Sequence, residues 1–140
     1  TILEQLVGSS WTLVSFQSKD KQAKIFYPLG KDAKGIISFM QDHRTSVHVM
    51  AANREDKLSK EELARFTNEE EKRMAQLGYH AYSGPFMIDE EAKVLTTQVE
   101  LSLIPSYIGT DQARAARIEG DLLYLSNIKH TDRQLVWRRN

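Results

Sequence analysis

VELSLIPSYIGTDQARAARIEGDLLYLS, residues 99–126, reads as three strands joined by two corners. The first corner is the Pro-Ser-Tyr-Ile-Gly run at 105–109, and the second is Glu119-Gly120-Asp121. Both carry the residues that turn a chain back on itself. In the middle strand Gln112, Arg114 and Ala116 share one face, and Ala113, Ala115 and Arg117 share the other, because side chains alternate along a strand. If the first set faces inward, Arg114 either braces a packed core or lines a cavity. Both readings stay open at this point.

Outward from this stretch the strand pattern continues in both directions. SWTLVSFQS (10–18) alternates, with Trp11, Leu13 and Ser15 on one face and Thr12, Val14 and Phe16 on the other. GIISFMQDHRTSVHVMAA (35–52) is a hairpin with a short polar loop. YHAYSGPFMID (79–89), KVLTTQVELSL (93–103), DQARAARIE (111–119), DLLYLSNIK (121–129) and RQLVWRRN (133–140) complete a set of about eight strands. One segment breaks the period. In 58–79, Leu63, Phe66, Met74 and Leu77 lie on one helical face with Glu70 in the middle of the stripe. Ser59 and Glu62 fit a capping box, Gly78 fits a stop, and Thr67 with Glu70 is a second capping-box match that breaks the helix near Thr67.

A chain of 140 residues is expected to be one domain, 1–140, with a helical insertion at about 59–77. Consecutive short-turn strands favour an all-β, antiparallel up-and-down sheet, and closure into a barrel removes its edges. Eight strands leave an interior that side chains fill or that holds one small ligand.

Composition narrows the function classes. Hydrophobic residues make up 41% and charged residues 27%, and the formal net charge is zero. The basic excess of a nucleic-acid binder is missing. With no Cys there is no disulfide, zinc-thiolate site or thiol nucleophile. No apolar run reaches the length of a membrane span and no signal-peptide pattern opens the chain, so the expected location is the cytoplasm. His43, His48, His80 and His130 give no metal-ligand spacing, and no metal or cofactor is expected. There is no Gly-x-Ser-x-Gly elbow and no phosphate loop. Asp89, Glu90 and Glu91 form an acidic turn of the solvated kind.

Taken together, GSSWTLVS (8–15), the 35–50 hairpin, AYSG (81–84), the spacing of Pro105, Gly109, Thr110, Gln112 and Arg114, GDLLYLS (120–126) and VWRR (136–139) resemble the bacterial and fungal lipocalin-like domain family. The match runs in order over nearly the whole chain. Gly8 and Trp11 stand one residue further apart than the family's Gly-x-Trp, a His often found before the Pro corner corresponds to Thr97, and Pro85 interrupts a strand. The resemblance implies a small barrel around an apolar molecule. It also implies, by fold-level analogy, a link to natural-product pathways in which similar barrels assist cyclisation or isomerisation.

Candidate site residues follow. Arg114, on a face the resemblance favours as inward, would anchor a carboxylate, enolate or carbonyl through its donor fork, or brace the fold against Glu100. Tyr82, beside small Ser83 and Gly84, is a candidate general acid or a packed core Tyr. His48, read as the one His well inside a strand, is a candidate general base or a tolerated strand residue. Gln112, Thr97, Val99, Leu101, Leu123 and Leu125 are expected to line the lumen, with Tyr107 at the mouth. Trp11 and Trp137 come together if the first and last strands pair. They either plug one end, with Arg138 or Arg139 over an indole, or stack on a ligand. Three functions are compatible with these residues: a cofactor-independent cyclase or isomerase, a carrier of a small hydrophobic ligand, and a structural barrel with a filled core. A homodimer is compatible with all three.

Overall fold

The computed structural model describes residues Thr1–Asn140. After a one-turn helix α1 (Ile2–Leu6), the chain forms β1 (Ser9–Lys19), a short β2 (Ile25–Phe26), β3 (Lys34–Phe39) and β4 (Arg44–Met50). Two helices follow, α2 (Lys60–Leu63) and α3 (Glu69–Leu77). Then come β5 (Tyr79–Asp89), β6 (Val94–Gln98), the two-residue β7 (Leu101–Ser102), a 3₁₀ turn at Pro105–Tyr107, β8 (Asp111–Glu119), β9 (Leu122–Asn127) and β10 (Gln134–Arg139).

The strands run β10-β9-β8-β6-β5-β4-β3-β1, every pair antiparallel, and β10 pairs back onto β1. The result is a closed eight-stranded barrel, with β2 and β7 as short additions on β1 and β5. One core fills it, including Trp11, Leu13, Phe16, Ile37, Phe39, Val47, Val49, Phe86, Leu95, Leu123, Leu125 and Trp137.

The expected alternation in β1 is broken. The register with β10 shifts between Leu13 and Ser15, so Val14 stays outside as its parity requires but Phe16 joins Trp11 and Leu13 inside. One extra residue in a strand displaces every later side chain to the opposite face. The helical insertion expected over 59–77 is divided into two helices, with the break near Thr67 where the second capping signal places it. Ser59 and Glu62 form the capping box of α2, and Asn68, not Thr67, caps α3 by accepting from the Glu71 amide. The buried face of α3 is Glu71, Met74 and Ala75, while Leu77 is exposed.

The two ends of the barrel differ. At one end α1 inserts Ile2 and Leu6 into the core, and the Glu90 carboxylate accepts from the first two helical amides, Ile2 and Leu3. An anion at a helix N-terminus satisfies donors that have no partner within the helix. Arg139 lies 4.2 Å from the Trp11 ring centre and Trp11 Nε1 donates to Ser9, so this indole belongs to the closed end. The connections β4–β5, β6–β8 and β9–β10 all lie at the other end.

Gly84 explains how the wall passes from β7 to β6. A Cβ there would sit 1.8 Å from the Gln98 carbonyl oxygen and 2.9 Å from its carbon. The space beside Tyr82 that Ser83 and Gly84 suggest is therefore occupied by the backbone of Gln98, not left for a ligand. Gly84→Ala is expected to cost about 3 kcal/mol or more, because the obstructing atoms are backbone and cannot rotate away. Urea denaturation checks this: Gly84→Ala falls well below wild type, and further than Gly120→Asn, which has open space around its Cβ and carries only the smaller cost of a left-handed φ of 60° that Asn tolerates.

Candidate functional site

The functional groups gather under α3, at the end opposite α1. A cavity of about 50 Å³ is lined by apolar side chains, among them Phe16, Val47, Met74, Ile104 and Leu125, together with His80, Tyr82, Tyr107, Arg114, Arg133 and Trp137. A second, polar space of about 340 Å³ lies outside it, between Asn68, Thr110, Gln112, Asn127, Lys129 and His130. Glu70, Tyr107, Arg114 and Arg133 border both. The enclosed part alone is below the roughly 300 Å³ of a typical ligand pocket and has room for a few waters. The outer space reaches that size.

Arg114 comes from β8 with the face that holds Ala116 and is buried. Its Nη1 donates to the Ala113 carbonyl at 3.0 Å and its Nη2 to Gln112 Oε1 at 3.3 Å. No carboxylate pairs with it. Glu100, the expected brace, instead pairs with Arg44 and is exposed. A guanidinium has five N–H donors, and burying its charge without a counter-ion is costly. Gln112 is held in turn by Thr110, whose hydroxyl accepts from its side-chain amide at 2.9 Å.

His80, which is not among the candidate residues read from the sequence, belongs to this site. It lies on β5 with the same face as Tyr82 and Phe86, a period-two pattern visible in YHAYSGPF. The ring is buried, edge-on to Tyr107 at 4.8 Å between centroids and tilted against Tyr82 at 5.3 Å. Both of its nitrogens lack a hydrogen-bond partner, and so does Trp137 Nε1. Native interiors rarely leave such atoms unpaired, so three of them on two residues that line one cavity mark a place for a polar partner. Burial lowers the His80 pKa to about 4, helped by the charges of Arg114 and Arg133. Burial also raises the Tyr82 pKa, with Arg114 acting against the rise and Tyr107 adding to it.

His48 is not with them. It sits on the outer face of β4, exposed, with Nδ1 2.8 Å from the Tyr79 hydroxyl. The inward residues of β4 are Thr45, Val47 and Val49, so His48 has the wrong parity for the lumen. Leu101 is also outside, 66% exposed. The backbone leaves the ladder after Gln98, where Val99 exchanges hydrogen bonds with Thr110 and Gly109, and the alternation does not carry across to β7. Ile104 takes the inward position instead. Thr97, Val99 and Leu123 are buried in the core away from the cavity wall, and Leu125, Tyr107 and Trp137 are on it. Trp11 lies at the closed end.

α3 is tied down over the cavity by a buried ion pair. Arg133 Nε, from the β9–β10 connection, is 2.5 Å from Glu71 Oε2, and both side chains are under a tenth exposed. At the rim, Asn68 Nδ2 lies 2.9 Å from His130 Nε2. No cluster of His, Asp and Glu has metal-binding geometry, and no helix is long and apolar enough to cross a membrane.

The lipocalin-like domain family model matches residues 8–139. A 66-residue segment is 38% identical to the 4'-hydroxy-3'-methoxypropiophenone carrier protein ppsC of Aspergillus oryzae. That segment covers 43% of this chain and 60% of the length of the relative.

Two outcomes follow from the buried charges. Arg133→Met leaves Glu71 buried and unpaired and is expected to cost about 3–5 kcal/mol in denaturant unfolding, whereas Glu71→Leu combined with Arg133→Met recovers most of it. His80 titrates near 6.5 when unfolded and about 4 when folded. The unfolded chain thus takes up a proton first. Stability present above pH 6.5 is lost as pH falls toward 4, by on the order of 3 kcal/mol, and stays lost below that. Unfolding free energies measured between pH 7 and 4 should lose this slope in His80→Gln.

Proposed function

Because the chain belongs to the lipocalin-like domain family, we propose that its lumen binds a small, largely apolar metabolite bearing a carbonyl or phenol oxygen, in natural-product biosynthesis. The observation that carries this reading is the set of unpartnered polar groups in one apolar cavity: Trp137 Nε1, both nitrogens of His80, and Arg114 without a carboxylate. An oxygen acceptor on the ligand satisfies Trp137 and Arg114, and a hydroxyl group satisfies His80. An aryl ketone with a ring hydroxyl has this pattern, and the name of the Aspergillus relative specifies such a compound as what that protein carries.

The ligand occupies both spaces, its apolar part under Met74 and Ile104 and its remainder across Tyr107 and Arg114 toward the rim. Because the enclosed cavity is small, binding is accompanied by movement of Tyr107 or α3. The site works in the cytoplasm and needs no cofactor. Carriage is the reading favoured by the relative's name. Assistance of a cyclisation or isomerisation is favoured by the position of His80, whose second ring nitrogen stays free beside a cation after the ligand hydroxyl has satisfied the first.

Isothermal titration with 4'-hydroxy-3'-methoxypropiophenone as probe tests the reading. Wild type is expected to bind with heat release. Arg114→Met should weaken binding by about 10- to 100-fold, the worth of a charge-assisted hydrogen bond. His48→Ala, on the outer face, should leave it unchanged. Affinity indifferent to Arg114→Met would remove the lumen from consideration.

A further inference from the structure

Resting on the reading that the lumen holds a carbonyl compound, we infer that His80 and Arg114 together shift a proton on the carbon next to that carbonyl. The substrate class is an enolisable ketone or a β,γ-unsaturated ketone. The inference stands on a juxtaposition. One wall of the cavity offers an imidazole whose two nitrogens are free of every protein partner, and the adjoining wall offers a guanidinium with no counter-ion. A structural His would spend at least one nitrogen on a neighbour, and a structural Arg at this depth would face a carboxylate, as Arg133 does with Glu71.

The step balances without any co-reactant. A ring nitrogen of His80 removes a proton from the carbon beside the carbonyl. The C–H electron pair becomes the enolate double bond, and the carbonyl π pair moves onto oxygen. Arg114 donates to that oxygen, where the negative charge develops. The His80 imidazolium then returns its proton, to the same carbon or, in a β,γ-unsaturated ketone, to the γ-carbon at the far end of the dienolate, which leaves a conjugated enone. In the second case a double bond has moved and the compound is isomerised. No electrons enter or leave.

Two features fit this role. Met74, Ile104 and the tyrosines exclude bulk water from the reacting carbon, which strengthens the Arg114 interaction. Burial, helped by the Arg114 charge, keeps His80 unprotonated and a weak base, and the same Arg114 charge stabilises the enolate it must generate. Tyr82 and Tyr107 hold the imidazole plane by ring contact, so they are positioning residues.

The test is hydrogen–deuterium exchange at the CH₂ next to the carbonyl of 4'-hydroxy-3'-methoxypropiophenone in D₂O, followed by proton NMR, with binding measured separately by calorimetry. Wild type should accelerate exchange at least about 100-fold over buffer containing equimolar free imidazole, the usual worth of a positioned base. His80→Gln loses one hydrogen bond to the ligand and should weaken binding by no more than about 10-fold, yet at saturating ketone it should exchange at the buffer rate. Arg114→Met at saturating ketone should slow exchange by a further measurable factor beyond its loss of affinity. In wild type, ¹⁵N NMR of the His80 ring nitrogens should also change on ketone binding, a readout that needs no variant. Binding without accelerated exchange, or exchange undiminished in folded His80→Gln, overturns the inference and leaves carriage standing. Absence of binding by wild type overturns both.

Discussion

The pairing of β1 with β10 is the constraint on which this molecule rests. Six residue pairs, from Trp11 with Arg139 to Gln17 with Gln134, convert a sheet with two open edges into a tube with none. Once closed, the wall has only an inside and an outside, and every strand residue is assigned to one of them by its parity. Loops then exist only at the two ends. One end is stopped by α1 and the Glu90 carboxylate; the other collects α3, the 3₁₀ turn and the β9–β10 connection, and there the polar groups of the interior converge.

Parity also explains how much could be read from the sequence. The eight principal strands and the barrel follow from period-two runs divided by turn residues, and the inward face of Gln112, Arg114 and Ala116 sits where the resemblance put it. The failures occur where parity is interrupted. At Val14 an added residue carries Phe16 to the inside. At Gln98–Glu100 the backbone departs from the ladder to pass against Gly84, so Val99 is in and Leu101 is out. Neither break has a composition signal of its own. His48 and His80 differ for the same reason. Both stand in strands, but only His80 has the parity of a neighbouring lumen residue, Tyr82. The sequence distance between histidines says nothing about this, whereas pairing β4 with β5 opposes His48 to Ala81 and sends both outward.

The interior contains two arginines under different conditions. Arg133 is neutralised by Glu71 and spends its charge on holding a helix. Arg114 is held in place by an amide and a carbonyl, neither of which cancels its charge. A tube made only to be stable would be better served by a hydrophobic residue at position 114, since a buried cation returns little even when paired. The Glu71–Arg133 link was not legible, because its partners stand 62 positions apart and in segments of different secondary structure. Glu71 was hidden further by a stripe that favoured Glu70.

For the ligand proposed above, the fastening of α3 across the mouth makes entry a gated event. An occupant larger than the enclosed cavity cannot pass at the frequency of its collisions; it waits for the cover to lift. Uptake should then become independent of solute concentration once that concentration is high, with a plateau set by how often Glu71 and Arg133 part company. Egress of that ligand waits on the same parting of Glu71 and Arg133, which lengthens its stay beyond what its own contacts dictate.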